Sequence, residues 1–415
     1  MAVVQPFRAI RYNPSQWAGD LSSVICPPYD VLDAEDRDAL LARDPKNFVA
    51  IDLPHVPPKK AGPEEAYERA QNTLGTWLRE GTLIRDTEPC LYVYHQAYEY
   101  QGRTYLRKMF FAALHLERFG QGCVVPHEET FGGPKEDRLK LTIATRCNLS
   151  PIFALYTDPE NQVSRAFASV TSSQPKYVAT MDGVENRLWA TSAPDILSAV
   201  TALMADKNVY IADGHHRYGT GLMYRDFLIE QEGTLPANHP ANFVLTVLCG
   251  MEDPGCLILP THRVLTGLDG LDAAGLLEIW AEGCDSCPPD RADVTLFDGK
   301  DEIPVRFTRP EALEELAPEK SAAWRALDLA YLHRYLIEDL LERRKGIRPN
   351  AEYHKLEAKA RERTLDGGIA CLTRSIEMAA LRAVSDAGDL MPQKSTYFYP
   401  KLATGLIART LTSEG

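Results

Sequence analysis

The sequence contains no run of eighteen or more apolar residues, which a helix needs to cross a bilayer. Its first residues, Met-Ala-Val-Val-Gln-Pro-Phe-Arg, lack the layout of a secretion signal, so we expect a cytoplasmic protein with no membrane partner. Positive charge is also scarce, because 45 Lys and Arg stand against 58 Asp and Glu, for a net charge of −13. A nucleic-acid partner requires a basic footprint and is therefore not expected, whereas a small phosphorylated ligand needs only a local basic pocket.

The second cysteine pair that a structural zinc site requires is absent as well. Cys284 and Cys287 form one Cys-x-x-Cys motif, but Pro288 and Pro289 follow it where a redox motif would begin a helix. Nine cysteines spread along the chain indicate a reducing compartment. Internal repeats and low-complexity tracts are missing too. With 415 residues, 45% of them hydrophobic, the chain is long enough for a large core and more than one domain.

Strand-like and helix-like patterns alternate along the first part of the chain and predict an α+β fold. Residues 91–100 and 104–116 alternate between apolar and polar around Gln101-Gly102, which predicts a long hairpin. Further strands are predicted at 24–28, 151–156, 209–212, 242–249 and 257–259, and helices at 34–42, 63–80, 135–145, 195–205 and 218–231.

The pattern changes after about residue 268, so we predict a core of residues 1–268 followed by three smaller parts. Residues 269–310 indicate a small α/β insert with a hairpin at Asp298-Gly299-Lys300. Residues 311–388 are predicted to be helical, with amphipathic helices at 327–344 and 376–384. Residues 389–415 contain two predicted strands, 395–399 and 406–411, which we expect to rejoin the core.

The segment that says most about chemistry is Asp213-Gly214-His215-His216-Arg217, where a predicted strand passes into a helix. Helix N-termini present unpaired N–H groups and a partial positive charge, so they bind anions. Gly214 allows the sharp turn, and the planar fork of Arg217 suits phosphate oxygens. His215 and His216 add donors or act as acid and base near neutral pH. We interpret the segment as a phosphate-handling turn; the alternative is a plain N-cap at Asp213 with one core and one solvated histidine.

A second polar cluster occupies residues 125–139 around a Gly-Gly-Pro loop. Lys135 and Arg138 are candidates for phosphate contacts, and Glu128 or Asp137 for a metal ligand or a base. The alternative is a solvated charged loop in front of the helix predicted at 135–145.

Lys394 belongs to a third segment, residues 391–401, in which it precedes Ser395 and Thr396. The order Lys-Ser-Thr is similar to part of a phosphate loop, but the glycines of a Walker motif are missing. We predict that Lys394 lines the pocket, although strand edges of this composition more often belong to a core. In the rigid turn at residues 27–30, Asp30 is a helix cap or a catalytic group.

Taken together, these segments resemble the domain of unknown function 1015 family over nearly the whole chain. The matching motifs are Pro-Pro-Tyr-Asp-Val at 27–31, His-Glu-x-Thr at 127–130 with Lys-x-Asp-Arg at 135–138, Asn-Leu-Ser-Pro-Ile-Phe at 148–153, Ala-Asp-Gly-His-His-Arg-Tyr at 212–218, Pro-Thr-His-Arg at 260–263 and Lys-Ser-Thr-Tyr-Phe-Tyr-Pro-Lys-Leu at 394–402.

The turn at residues 213–217 is also similar to the signature of the ParB/sulfiredoxin superfamily, whose turn starts a helix and contacts nucleotide phosphates. This resemblance implies a ParB/sulfiredoxin-like core in which Gly214, His216 and Arg217 hold phosphate. His215 stands where sulfiredoxin has its reactive cysteine, so sulfinic-acid reduction is not expected. The basic helix-turn-helix of chromosome-partitioning ParB is also missing.

From these segments we predict a nucleotide-dependent phosphotransferase that acts on a small hydroxyl metabolite, in its most specific form a free-serine-type kinase. ATP or ADP with Mg²⁺ is the expected cofactor, and no segment indicates a metal-ligand set or an oligomeric state. The alternatives are a phosphatase or hydrolase of a small phosphometabolite, and a nucleotide-binding regulatory protein without turnover. The expected phosphate or nucleotide ligands are Lys135, Arg138, Asp213, Gly214, His216, Arg217 and Lys394, and the expected catalytic residues are His127, Glu128, Asp137 and His215.

Overall fold

The computed structural model describes residues 2–57, 61–128, 135–268 and 270–413 and confirms an α+β architecture. The chain forms two compact units. Unit 1 comprises Met1–Pro126, Thr130–Cys256 and Pro400–Gly415, and unit 2 comprises His127–Glu129 and Leu257–Tyr399. The four-part division expected from the sequence stays a prediction. In the described part of the chain, no helix combines the length and the apolar character that crossing a membrane requires.

Unit 1 is built around a mixed sheet, which has nine strands within the described residues. Its centre is the predicted hairpin, in which Leu91–Tyr100 and Arg103–His115 pair antiparallel around Gln101 and Gly102. Both connecting residues have positive φ, which suits a two-residue turn of the primed type. The strand order is Val124–Pro126, Val209–Asp213, Ile152–Tyr156, Phe243–Gly250, Arg103–His115, Leu91–Tyr100, Val184–Thr191 and Tyr177–Met181, with Val4–Gln5 beside Arg103–His115.

The helices of unit 1 follow the apolar periodicity of their sequences. Glu64–Arg79, for example, buries Ala66, Tyr67, Ala70, Leu74 and Trp77, a spacing of three to four residues that turns one face inward. The helices are Pro14–Trp17, Ala34–Arg43, Val49–Asp52, Glu64–Arg79, Lys135–Thr145, Gln162–Ala166, Ala168–Thr171, Pro194–Ala205 and His215–Glu232, and Tyr29–Val31 and Pro240–Asn242 are 3₁₀ turns. A smaller sheet contains Leu83–Arg85, Ala9–Tyr12, Ala408–Thr410 and Cys147–Asn148.

Two predictions for unit 1 need correction. Residues 24–28 form no strand but only a single bridge, between Cys26 and Thr404, because Pro27 and Pro28 lack the N–H groups that continue a ladder. The helix predicted to begin at residue 218 begins at His215, since the preceding glycine already terminates the strand.

Unit 2 contains a six-stranded sheet within the described residues, in the order Cys284–Ser286, Glu302–Phe307, Val294–Phe297, Ile369–Thr373, His262–Thr266 and Asn350–His354. The predicted hairpin at Asp298-Gly299-Lys300 is confirmed between Val294–Phe297 and Glu302–Phe307. The helices are Ala273–Ile279, Ala312–Leu316, Ala322–Arg325, Asp328–Ala330, Glu357–Arg363 and Met378–Asp386, the 3₁₀ turns are Pro289–Arg291 and Thr364–Asp366, and Tyr331–Arg344 is a π-helix.

Residues 311–388 are mostly helical, as the sequence predicts, but they also contain two five-residue strands that it does not predict. Asn350–His354 and Ile369–Thr373 both pair with His262–Thr266, roughly a hundred residues earlier in the chain. The two predicted C-terminal strands pair in different units. Tyr397–Tyr399 joins Leu257–Leu259 in unit 2, and Ala408–Thr410 joins Ala9–Tyr12 in unit 1.

Candidate functional site

Gly214 forms the junction between the strand Val209–Asp213 and the helix His215–Glu232 in unit 1. It is the N-cap of the helix and has φ 90°, a left-handed conformation that costs a residue with a side chain about 1–2 kcal/mol. The strand is held in place by Val124–Pro126 on one side and Ile152–Tyr156 on the other. The partial positive charge of the helix N-terminus therefore lies directly at the end of a buried strand.

The guanidinium of Arg217 folds back over this glycine. A Cβ atom at position 214 would lie only 2.9 Å from Arg217 Nε, so the absence of a side chain makes this approach possible. Arg217 donates from Nη1 to the carbonyl oxygen of Pro151, and its Nη2 lies 3.7 Å from Asp213 Oδ1. Burial lowers the pKa of Arg217, but the charges of Asp213, Asp30, Tyr29 and Asp52 together raise it by more, so the side chain remains charged.

Asp213 is shared between two cations. Lys401 Nζ donates to Asp213 Oδ2 at 2.8 Å, on the carboxylate oxygen opposite the one nearest Arg217. Burial by itself would raise the pKa of Asp213, yet Lys401 and Arg217 hold that pKa well below its usual range. Asp213 therefore stays ionised and orients both cations. It does not cap the helix, whose N-cap is Gly214 without a side-chain hydrogen bond, so the alternative of a plain N-cap at Asp213 is wrong.

Arg138 lies in the first turn of Lys135–Thr145, a helix that begins and ends where the sequence predicts. Its Nε and Nη2 donate to Asp137 Oδ2 at 2.9 and 2.6 Å, and its Nη1 donates to the backbone oxygen of Asp52 at 2.6 Å. The guanidinium carbon lies 4.0 Å from the ring centre of Tyr29. These contacts leave Arg138 only 5% exposed and fix its orientation.

Asp137 is completely buried, and both of its carboxylate oxygens accept hydrogen bonds. Tyr67 donates its hydroxyl to Oδ1 at 2.7 Å, while Arg138 occupies Oδ2. Burial raises the pKa of Tyr67 above its ordinary value and its hydrogen bond to Asp137 raises it further, so the hydroxyl remains a donor. The geometry thus makes Asp137 an anchor for Arg138.

Arg138 and Arg217 line the same cavity, which has a volume of about 40 Å³. The sequence places these two cations far apart, and the fold brings both to one space. Other polar groups on its wall include Asp52, Thr142, Asn148, Ser150 and Thr220.

Asp52 is the functional candidate that the sequence did not reveal. It is 2% exposed, its Oδ1 accepts a hydrogen bond from Ser150 at 3.1 Å, and that oxygen lies 3.6 Å from Arg138 Nη1. Its Oδ2 has no hydrogen-bond partner among the described residues. Burial raises the pKa of Asp52 in spite of the opposing effects of Arg138 and Arg217. No motif marks Asp52, whereas Ser150 belongs to the Asn-Leu-Ser-Pro segment singled out above.

The other predicted residues of unit 1 lie around the same helix. The Lys135 side chain passes Gly219, where a Cβ atom would lie 3.3 Å from Lys135 Cε. His215 and His216 occupy the first turn of His215–Glu232, the former buried and the latter half-buried. The structure therefore places Lys135 and Arg138 on one helix and His215, His216 and Arg217 on another, and the two helices pack against each other.

In unit 2, His127 and Glu128 lie beside the segment that carries Lys394. His127 is fully buried, with Nε2 2.8 Å from Thr396 Oγ1 and 3.9 Å from Glu128 Oε2. The side chain of Lys394 is exposed, its φ is 55°, and its carbonyl oxygen accepts a hydrogen bond from Arg263 at 3.2 Å. Residues 129–134, which include the predicted Gly-Gly-Pro loop, lie outside the described residues. Within the described residues, no group of three or more His, Cys, Asp or Glu side chains has metal-binding geometry.

Three solved structures are similar to this chain at low identity. A free serine kinase variant in complex with ADP has 11% identity and a TM-score of 0.34, with 66% of this chain and 84% of that chain covered. SbnI from Staphylococcus aureus, truncated at its C-terminus, has 12% identity and a TM-score of 0.36, with 71% and 87% covered. A conserved hypothetical protein from Pyrococcus furiosus has 13% identity and a TM-score of 0.32, with 68% and 89% covered.

Among curated proteins, no sequence matches this chain. One protein family does match, over residues 4–330, and it is described as "Protein of unknown function (DUF1015)". Because the match spans most of the 415 residues, this chain belongs to the DUF1015 family.

Proposed function

We propose that this protein is a nucleotide-dependent phosphotransferase acting on a small hydroxyl metabolite. The proposal depends on one observation: Arg138 and Arg217 line the same cavity as the buried carboxylate of Asp52. Phosphoryl transfer needs mainly positioned groups and neutralised charge. The cavity volume of about 40 Å³ is roughly three times what one water requires, which is space on the order of a single phosphoryl group.

The two arginines bind the phosphoryl oxygens in this mechanism. Arg217 is pre-oriented by the Pro151 carbonyl and by Asp213, and Arg138 by its contacts with Asp137, so neither side chain has to reorganise when charge develops. The backbone at Gly214 adds the partial positive charge of the helix N-terminus. Lys135 and His216 supply further donors along the same two helices.

Asp52 is the group we propose to accept the proton of the attacking hydroxyl. Its Oδ2 makes no hydrogen bond with a described residue, and its raised pKa moves it toward the range in which a general base is effective. Asp137 is assigned instead to positioning Arg138, since its two oxygens are already occupied. The expected roles of His127, Glu128 and His215 as base, and of Lys394 as a phosphate ligand, stay predictions.

ATP or ADP with Mg²⁺ remains the proposed cofactor, and the charge of the site gives a reason. Three cations, Arg138, Arg217 and Lys401, lie among three carboxylates, Asp52, Asp137 and Asp213. Because these charges nearly cancel, a nucleotide has to bring a counter-ion of its own. Mg²⁺ held chiefly by nucleotide phosphates meets this need. We also retain the proposal of a ParB/sulfiredoxin-like core and of a cytoplasmic, small-molecule function.

The test is to incubate the full chain with ATP or ADP, Mg²⁺ and a panel of hydroxyl metabolites that includes serine, and to follow phosphorylated products by ³¹P NMR. We expect turnover that falls about 100-fold or more in Arg217→Lys, because lysine lacks the planar fork. Arg118→Lys is the matched control, since Arg118 is exposed and pairs only with Asp226 among the described residues.

The ³¹P NMR assay and calorimetry of nucleotide binding together separate the alternatives. Phosphate release from phosphoserine without any nucleotide supports a phosphatase. Calorimetric nucleotide binding with no product supports a regulatory protein. Neither nucleotide consumption nor nucleotide binding ends the phosphotransferase proposal.

A further inference from the structure

Unit 1 contains a second, larger cavity, with a volume of about 440 Å³. This volume falls within the usual range of small-molecule sites, about 300–1,000 Å³. Its walls come from the central hairpin, from the helices Gln162–Ala166 and Ala168–Thr171, and from residues 253–254. It shares no lining residue with the cavity of Arg138 and Arg217.

The wall of this cavity carries two cations, Lys108 and Arg165. Neither of them forms an ion pair with any residue that the structure describes. The carboxylate that lines the cavity, Asp253, is 8% exposed and accepts hydrogen bonds from the backbone N–H groups of Gly255, at 2.9 Å, and Lys108, at 3.2 Å. Burial raises the pKa of Asp253, although these hydrogen bonds and the charges of Lys108 and Arg107 lower it. Two cations therefore face one carboxylate on this wall, an excess of positive charge in a chain of net charge −13.

Basic residues also face each other across the strands at this place. His95 is the direct cross-strand neighbour of Lys108 on one side and of Arg187 on the other. Both cations oppose protonation of the His95 ring, which lines the cavity. Burial, with Lys108 and Arg187, lowers the pKa of His95 to about 4, and its ring is therefore neutral at physiological pH.

The cavity has an apolar side as well. Leu106, Ala168 and Pro254 line it, and Leu106 is one of the few large apolar side chains that are exposed, at 37%. Polar donors and acceptors come from Asn161 and Ser164. A ligand that satisfies both sides carries one anionic group on an apolar body.

We propose that this cavity binds a small amphipathic organic anion, with its carboxylate between Lys108 and Arg165 and its apolar body against Leu106, Ala168 and Pro254. The planar fork of Arg165 suits a carboxylate bidentately, while Lys108 supplies a point charge. This inference is independent of the phosphotransferase proposal, because no residue is shared between the two sites.

Benzoate is the probe, titrated calorimetrically into the full chain, with inorganic phosphate and benzylamine as comparisons. We expect benzoate to bind at millimolar concentration, phosphate to bind more weakly for lack of an apolar body, and benzylamine not to bind. The double variant Lys108→Gln with Arg165→Gln should weaken benzoate binding by about tenfold or more. The control pair Arg103→Gln with Lys300→Gln makes the same change of net charge with residues that do not line the cavity, and it should leave the affinity unchanged.

A second readout is the His95 ring, followed by NMR at neutral pH, where benzoate is ionised. Benzoate bound between Lys108 and Arg165 shifts the ring signals of His95, whereas binding elsewhere leaves them unchanged. The proposal is overturned if wild type and the Lys108/Arg165 variant bind benzoate equally, if benzoate does not bind the wild type, or if benzylamine binds as well as benzoate.

Discussion

Replacement of Asp52 by Asn tests the two effects that we assign to its buried carboxylate, which are proton acceptance and a cost to stability. The substitution should abolish activity and yet stabilise the fold. The substitution keeps the shape of the side chain, and its amide oxygen can still accept the hydroxyl hydrogen bond of Ser150. It removes the negative charge and with it the capacity of Oδ2 to accept a proton. As general base, Asp52 is expected to contribute about 10²–10⁴ in rate.

The expected gain in stability follows from the raised pKa of Asp52. Burial raises that pKa more than Arg138 and Arg217 lower it, so the folded protein disfavours the ionised form relative to the unfolded chain. A carboxyl of this kind destabilises the fold as pH rises through its folded pKa, and a tenfold difference in proton affinity between the two states corresponds to about 1.4 kcal/mol. At neutral pH, Asp52→Asn should therefore raise the free energy of unfolding by on the order of 1 kcal/mol.

The assay is urea unfolding of wild type and variant at neutral pH and again below about pH 4, the ordinary carboxyl pKa. The gain should vanish in acid, because Asp52 is then protonated in both states of the wild type. Turnover is measured on the same preparations.

Asp137→Asn is the matched control in the same cluster and should have the opposite effect on stability. Arg138 would lose its closest carboxylate, a buried pair whose disruption costs about 3–5 kcal/mol. Our reasoning about Asp52 is refuted if Asp52→Asn retains wild-type turnover, or if it destabilises the fold at neutral pH by more than about 2 kcal/mol, since either result would make its charge structural.

Two further substitutions test the turn. Gly214→Ala should destabilise the protein by about 1–2 kcal/mol in urea unfolding, because φ at this position is 90°. The added Cβ should also displace Arg217 and so weaken nucleotide binding in calorimetry. An unchanged affinity would contradict the packing of Arg217 against Gly214. Lys401→Met should cost about 1–2 kcal/mol at neutral pH, because the depressed pKa of Asp213 contributes stability above the ordinary carboxyl pKa that is lost in acid. The free energies of unfolding of wild type and Lys401→Met should become more similar as the pH is lowered. A difference that does not change with pH would contradict this explanation.

Elements with strong local periodicity were predictable. The hairpin around Gln101-Gly102 alternates over both strands, and the helices Ala34–Arg43 and Lys135–Thr145 have the predicted limits to within a residue. The strands Asn350–His354 and Ile369–Thr373 were missed because both depend on pairing with the distant His262–Thr266.

The sequence by itself determined that a strand passes into a helix through Gly214, because a glycine between an apolar strand pattern and a helical pattern allows a sharp change of direction. It also placed Arg138 and Arg217 among the candidate phosphate ligands. Only the tertiary structure decided that both arginines reach one cavity, that Asp137 is occupied by Tyr67 and Arg138, and that Asp52 lies beside them with an oxygen that no described residue occupies. The physical reason is the sequence separation of the interacting residues. A backbone turn depends on adjacent residues, whereas burial, pKa and hydrogen-bond partners depend on residues that only folding brings together.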